Sequence, residues 1–229
     1  MVVVAHPDDE ILGCGATMHK LIHEKDCLVH VVILGEGVTS RFSATENREA
    51  SIQLVTHKLN IEAAQKTIGY QSLKTYDFPD NRFDTVGILD IVKVIEEEKN
   101  SFHPEIIFTH HSGDLNIDHQ ITFQAVMTAI RPLESEIVNS IITYETPSAT
   151  EWQSTSDPRK FLPNLFIAVS KSNMLAKFNG IEAYSLEKRP YPHPRSQEAL
   201  ENLATHYGIM LGGGLYEAFQ VIRMIEKLN

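Results

Sequence analysis

An α/β fold, a mostly parallel sheet with helices on both faces, is predicted by three features of this 229-residue sequence. Short unbroken runs of β-branched and other apolar residues recur, as in Val2-Val3-Val4-Ala5, and such runs read as strands buried on both faces. Stretches with helical apolar spacing alternate with them. The resulting β-α-β-α order is satisfied most simply by a parallel sheet.

The elements follow in order. Val2–Ala5 is strand one, and a helix opens near Ile11 among small residues. Residues 27–34, CLVHVVIL, make strand two, which ends in the turn Gly35-Glu36-Gly37. Residues 43–68 read as a helix interrupted near Lys58–Asn60 and stopped by Gly69. Lys74–Phe78 is strand three and runs into the polar loop Pro79–Asp84. Ile88–Lys99 is an amphipathic helix, Glu105–Thr109 strand four, Ile117–Ile130 a helix and Ser140–Tyr144 strand five. Beyond Glu145 the rhythm changes. A turn-rich stretch, residues 146–163, carries the only tryptophan, Trp152. Leu165–Val169 is a further strand, and Ser170 caps a helix that reaches Tyr184. Pro190–Pro194 is a rigid extended loop. Helices are expected over Ser196–Tyr207 and Leu215–Leu228, separated by Gly212-Gly213-Gly214. With no repeat, low-complexity tail or clean linker, residues 1–229 read as a single domain with an elaborated C-terminal half.

Composition narrows the function. A formal net charge of −10 argues against a general nucleic-acid binder, whose affinity rests on neutralising phosphates. Cys14 and Cys27, without a secretory signal, read as reduced thiols in a cytoplasmic protein. No apolar run approaches the roughly 18 residues of a membrane span.

The chemistry gathers where strand one ends. Val2–Ala5 gives way to His6-Pro7-Asp8-Asp9-Glu10, at the carboxyl strand end where open parallel sheets bind ligands. Pro7 fixes its own φ and holds His6 extended, which stiffens the bend. His6 and Asp9, three apart across it, can converge on one cation, leaving Asp8 over the open face to take a proton from water. The plain alternative, an Asp that caps the next helix, does not account for four ionisable groups desolvated together. Strand four ends in a second polar loop, His110-His111-Ser112-Gly113-Asp114-Leu115-Asn116-Ile117-Asp118-His119. If the two strands are neighbours, His119 completes a set of two imidazoles and one carboxylate. That set leaves positions open, as in a catalytic zinc site, and it also suits Fe(II) or another divalent metal. His103, His110 and His111 read as ordinary core or surface histidines.

Residues 5–10, AHPDDE, followed by Leu12-Gly13-Cys14-Gly15, resemble the opening signature of the PIG-L/LmbE-like zinc-dependent de-N-acetylases, and Asn116-Ile117-Asp118-His119 stands where that family carries a histidine motif. The resemblance implies a Rossmann-like sheet. It also implies a zinc-dependent N-deacetylase, with His6, Asp9 and His119 as metal ligands and Asp8 as general base. The family usually has histidine at the place of Asn116, oriented by an aspartate in the place of Asp118 and credited with helping the oxyanion or leaving group. Asn116 donates a hydrogen bond but delivers no proton. His193, in Pro192-His193-Pro194-Arg195, is the replacement candidate, the other course being that Asp8 returns its proton.

The implied substrate is a small-molecule N-acetylglucosamine-like conjugate, nucleotide- or lipid-linked, that yields acetate and a free amine. Glu36 and Arg41, Arg82, Trp152 and Arg195 are the candidate substrate-binding residues, the arginines suited to a phosphate. Arg189 beside His193 is a weaker candidate. Two alternatives stand beside this one, an amidase acting on a thiol-sugar precursor or conjugate and a metal-bound carbohydrate-binding protein without turnover. Family members often form homo-oligomers, and the sequence leaves the oligomeric state open.

Overall fold

The computed structural model describes residues 1–41 and 47–226. Val2–Val4 (β1) is followed by Asp9–Lys25 (α1), His30–Gly35 (β2), Asn47–Ile68 (α2), Ser72–Phe78 (β3), Ile88–Phe102 (α3), Ile106–His110 (β4) and Ile117–Ala129 (α4). Ser140–Tyr144 (β5), Leu165–Val169 (β6), Lys171–Ala183 (α5), Gln197–Met210 (α6) and Leu215–Met224 (β7) complete the order.

The seven strands form one sheet in the order β3-β2-β1-β4-β5-β7-β6. β1 pairs in parallel with β2 on one side and β4 on the other, so the chain reverses its direction of winding at β1 and β4. That reversal opens a crevice at their carboxyl ends. The first two loops of the site therefore face one another. β1 is buried throughout, and its side chains alternate between two cores. Val2 and Val4 join Ile11, Leu12 and Ile181 on the face covered by α1, α2 and α5. Val3 and Ala5 join Ile91, Ile95, Val126 and Ile130 on the face covered by α3 and α4.

The residues expected as a C-terminal helix, Leu215–Leu228, instead form the antiparallel strand β7 over Leu215–Met224, inserted between β5 and β6. Glu217-Ala218 reads as helix former, yet the stretch obeys period two: Phe219 and Val221 pack into the first core and Ile222 into the second. Tertiary burial on both faces decides here against local propensity. The interruption expected near Lys58–Asn60 is absent, and α2 runs unbroken through it. Ile61, Ala64 and Ile68 dock onto the first core, and one asparagine does not break a helix so anchored. The start expected at Ser43 lies outside the described residues. Residues 190–196 are not extended but turned, with the His193 amide bonded to the Pro190 carbonyl and the Ser196 amide to that of His193.

α1 carries a local break at Cys14, where φ is −146° and ψ 16°. The break is compensated by two buried side chains from the C-terminal half. Glu217 accepts from the amides of Ala16 and Thr17, and Lys177 donates to the Leu12 carbonyl at 2.8 Å while pairing with Glu217 at 2.6 Å. Gly13 lies just before the break because a Cβ there would stand 2.1 Å from the Tyr144 ring. Tyr144 in turn lies edge-on to His110, 5.5 Å between ring centroids.

Candidate metal centre and active site

β1 ends two residues before His6, and the bend at Pro7 brings His6 and Asp9 together, the His6 amide bonding Asp9 Oδ2 at 2.9 Å. His6 Nδ1 lies 3.5 Å from that same oxygen, and His119 Nε2, from the first turn of α4, lies 3.3 Å from it. Ligand atoms of His6, Asp9 and His119 all fall within 4.8 Å of one another, and the residues are buried.

The surroundings hold this group in place. His6 Nε2 bonds Asp118 Oδ2 at 2.9 Å and lies 3.3 Å from Asp80 Oδ1. Asp118 is itself fixed by the Phe83 amide. His119 Nδ1 lies 3.2 Å from Asp114 Oδ1, and Asp114 accepts from Thr150 through its other oxygen. His110 stacks on His119, 3.9 Å between centroids and 10° from parallel. Carboxylates behind imidazoles in this manner orient metal ligands and fix their tautomers.

Protonation follows from the same contacts. Burial acts to lower the His119 pKa, yet Asp9 and Asp114 carry it up to about 9. His6 is likewise raised, its hydrogen bonds to Asp118 and Asp9 overcoming burial. Asp9 is held well below the carboxylate range by His119 and His110 despite burial. His110 goes the other way, down to about 3, through burial and its charged neighbour His119. It stays neutral, its Nε2 accepting from the Ala5 amide at 2.9 Å. Buried Asp9, Asp80, Asp114 and Asp118 thus outnumber the imidazoles that can carry charge among them. Such a group favours a cation, and the open His-Asp-His donor set fits a divalent metal.

Asp8 lies beside the triad with a left-handed backbone, φ 102°, and its side chain makes no bond to the first turn of α1. Its Oδ2 instead pairs with Arg195 Nη1 at 2.8 Å, while Arg195 also bonds Glu187 at 3.0 Å and Ser148 at 2.7 Å. Burial still raises the Asp8 pKa well above the usual range, against the pull of Arg195.

A cleft of about 500 Å³ opens over these residues. Its wall holds His6, Asp8, Asp9, His119 and Arg195, the polar Ser40, Asp80, Asn81 and Asn116, and the apolar Leu115, Ile117 and Trp152. Asn116 caps α4 by accepting from the Asp118 amide, and its Nδ2 donates to Asn81 Oδ1 at 3.0 Å. Trp152 is 52% exposed and stands edge-on to His193, 5.7 Å between centroids.

Other sequence candidates are placed elsewhere. His193 is outside the cleft wall, its Nδ1 accepting from the Arg195 amide. Glu36 ties its own loop together through the amides of Val38 and Thr39. Arg82 is exposed and outside the wall, and Arg189 donates to the carbonyls of Leu186 and Lys188. The Arg41 side chain lies outside the described residues. The expected convergence of arginines is therefore not seen among the described residues.

Residues 1–130, which contain the triad, Asp8 and most of the sheet, match the PIG-L family, described as GlcNAc-PI de-N-acetylase. The chain belongs to the PIG-L family. Among relatives of this PIG-L chain, the uncharacterized deacetylase YaiS of Escherichia coli K12 is 26% identical over 189 residues, which cover 80% of this chain and 89% of that one. The solved N,N'-diacetylchitobiose deacetylase of Pyrococcus horikoshii superposes with a TM-score of 0.75 at 16% identity, covering 97% of this chain and 82% of that one. The 4-carboxy-2-hydroxymuconate hydratase GalB of Pseudomonas putida KT2440 superposes at 0.74 with 18% identity over 100% and 98% of the two chains. These structural likenesses show a shared fold, and a fold alone does not fix a reaction.

Several residues of the PIG-L site were not singled out by sequence reasoning. Asp80 and Asp114 lie in polar loops at carboxyl strand ends, so position alone flagged them. Glu10 stood in the opening motif without a role assigned to it, while Ser148, Tyr184 and Glu187 carried no comparable signal, because their roles depend on which distant segments fold beside Asp8.

Proposed function

We propose that this protein is a metal-dependent hydrolase that removes the N-acetyl group from an N-acetylglucosamine-like sugar, giving acetate and a free amine. The observation that carries the reading is the buried His6-Asp9-His119 group with Asp8 beside it at the floor of a sugar-sized cleft. Zinc is the cation this donor set suits first; held there, it polarises the acetamide carbonyl and acidifies water. Fe(II) meets the same donor chemistry.

The chain's own groups do the rest. Asp8 accepts the proton released as water adds to the carbonyl carbon. Its raised pKa suits it to give that proton back to the departing nitrogen, which must leave as an amine. This course needs no acid at position 116, and His193, outside the cleft wall, is not required. Asn116 spends one amide hydrogen on Asn81 and keeps a second for the developing oxyanion. Arg195 holds the Asp8 carboxylate in place. Ser40, Asp80 and Asn81 offer partners to sugar hydroxyls, and Trp152 and Leu115 offer apolar surface to a ring face.

The GalB likeness raises hydration of an unsaturated acid as a second reaction for this fold. Among its described residues the cleft presents Asp8, Asp9, Asp80 and Glu187 against one guanidinium, Arg195, itself engaged by Asp8 and Glu187, and two imidazoles, His6 and His119, already engaged by carboxylates, a poor receptor for a polycarboxylate. The same balance favours a neutral sugar over a phosphate-linked one.

The deciding experiment is acetate release by zinc-loaded protein from N,N'-diacetylchitobiose, N-acetylglucosamine, a nucleotide-linked N-acetylglucosamine and an N-acetylated thiol-sugar conjugate. Turnover of the neutral sugars is expected. Preference for the thiol conjugate selects the amidase alternative, and sugar binding without acetate selects the non-catalytic one.

A further inference from the structure

We propose that Glu10 and Tyr184 are positioning residues that aim the Asp8 carboxylate into the cleft; the proposal rests on the reading of Asp8 as proton acceptor. An aspartate at a helix N-cap ordinarily spends its carboxylate on the amides of the first turn. Asp8 does not, and makes no such bond. Its φ of 102° turns the side chain away from α1 and towards Arg195 and the triad. A non-glycine residue rarely adopts that backbone, so it persists only where its neighbours hold it.

The hold is visible. The Asp8 amide donates to Glu10 Oε2 at 3.0 Å, and the Tyr184 hydroxyl donates to the other oxygen, Oε1, at 2.7 Å. Glu10 and Tyr184 are both fully buried, so water offers neither a replacement partner. The Glu10 carboxylate touches neither the cleft nor the triad. Tyr184 immediately follows α5, and its ring is braced edge-on by His57 at 5.9 Å.

The segment that begins at Tyr184 then supplies Arg195, which grips the Asp8 carboxylate from the cleft side, and Glu187, which accepts from the same Arg195 guanidinium and helps to hold it there. One stretch, residues 184–195, therefore fixes Asp8 twice, at its amide through Glu10 and at its side chain through Arg195. It lies outside residues 1–130, the part that matches the family.

The test compares full-length wild type, Tyr184→Phe and Glu10→Gln, each loaded with zinc, for metal content, Tm, steady-state acetate release from N,N'-diacetylchitobiose, and the crystal structure around residue 8. Misplacement of a reacting group by about 1 Å can cost about a hundredfold in rate. Tyr184→Phe is expected to keep wild-type zinc content and KM, to lose about tenfold or more in kcat, and to show the Asp8 carboxylate displaced. Glu10→Gln, whose carbonyl oxygen still accepts from the Asp8 amide, is expected to fall between the two. A lowered Tm with unchanged kcat and an unmoved Asp8 would mean that the pair is merely structural, and would overturn the proposal. If the wild type releases no acetate from any sugar, the deacetylase reading fails. The Asp8 conformation in crystals of wild type and Tyr184→Phe then decides the positioning claim by itself.

Discussion

Asp8 and Asp9 are neighbours in sequence with opposed electrostatics. Asp9, pulled well down by His119 and His110 against its burial, is a permanent anion suited to a cation. Asp8, pushed up by burial, is suited to exchange a proton. Asp8→Asn is therefore expected to bind zinc as the wild type does and to lose about 10²–10⁴-fold in kcat, the usual worth of a general base. His119→Ala is expected to lose the metal; equal metal loss in both variants would refute this division. Stability of the metal-free protein should follow His119. Its folded pKa of about 9 exceeds the unfolded value of roughly 6.5, so the stabilisation is complete below that value and is lost as pH rises through 9. The apparent Tm of chelator-treated protein should fall across that window, while saturating zinc, which replaces the proton, should flatten the dependence. The ligand candidates were legible because His-Pro-Asp-Asp after a buried strand has few other uses. The fate of the arginines was not, since a sequence does not say which carboxylate will fold against a guanidinium, and Arg195 found Asp8 and Glu187.

Among elements, β1, β2, β4 and β5 were legible to within a few residues, because a strand buried on both faces is a continuous apolar run. β7 was not. Its Glu217 interrupts the apolar pattern, and only the folded chain shows why a carboxylate lies there: it satisfies the amides freed by the break in α1 and meets Lys177. Lys177→Met should leave Glu217 buried and unpaired, at a cost of about 3–5 kcal/mol in denaturant unfolding. Adding Glu217→Gln should recover part of that loss. If the single variant unfolds like the wild type, the pair does not hold the break in α1.

At the scale of the molecule, the site exists because the chain reverses its winding at β1 and β4, which brings residues 6–9 and 110–119 to one crevice. The C-terminal half then closes the crevice from the side, with β7 completing the sheet against β5 and residues 184–195 holding Asp8. A chain ended at residue 164 would expose the β5 edge and lose Lys177, Tyr184 and Arg195 together. It is expected to show no cooperative thermal transition by circular dichroism and no stoichiometric zinc binding. The most direct test of the whole account is anomalous diffraction at the zinc edge from crystals grown with zinc. A single strong peak at about 2.0–2.2 Å from His6, Asp9 and His119, with the Asp8 carboxylate beside it and unligated, is the predicted result. A peak bound elsewhere, or Asp8 taking the place of Asp9 as ligand, would contradict it.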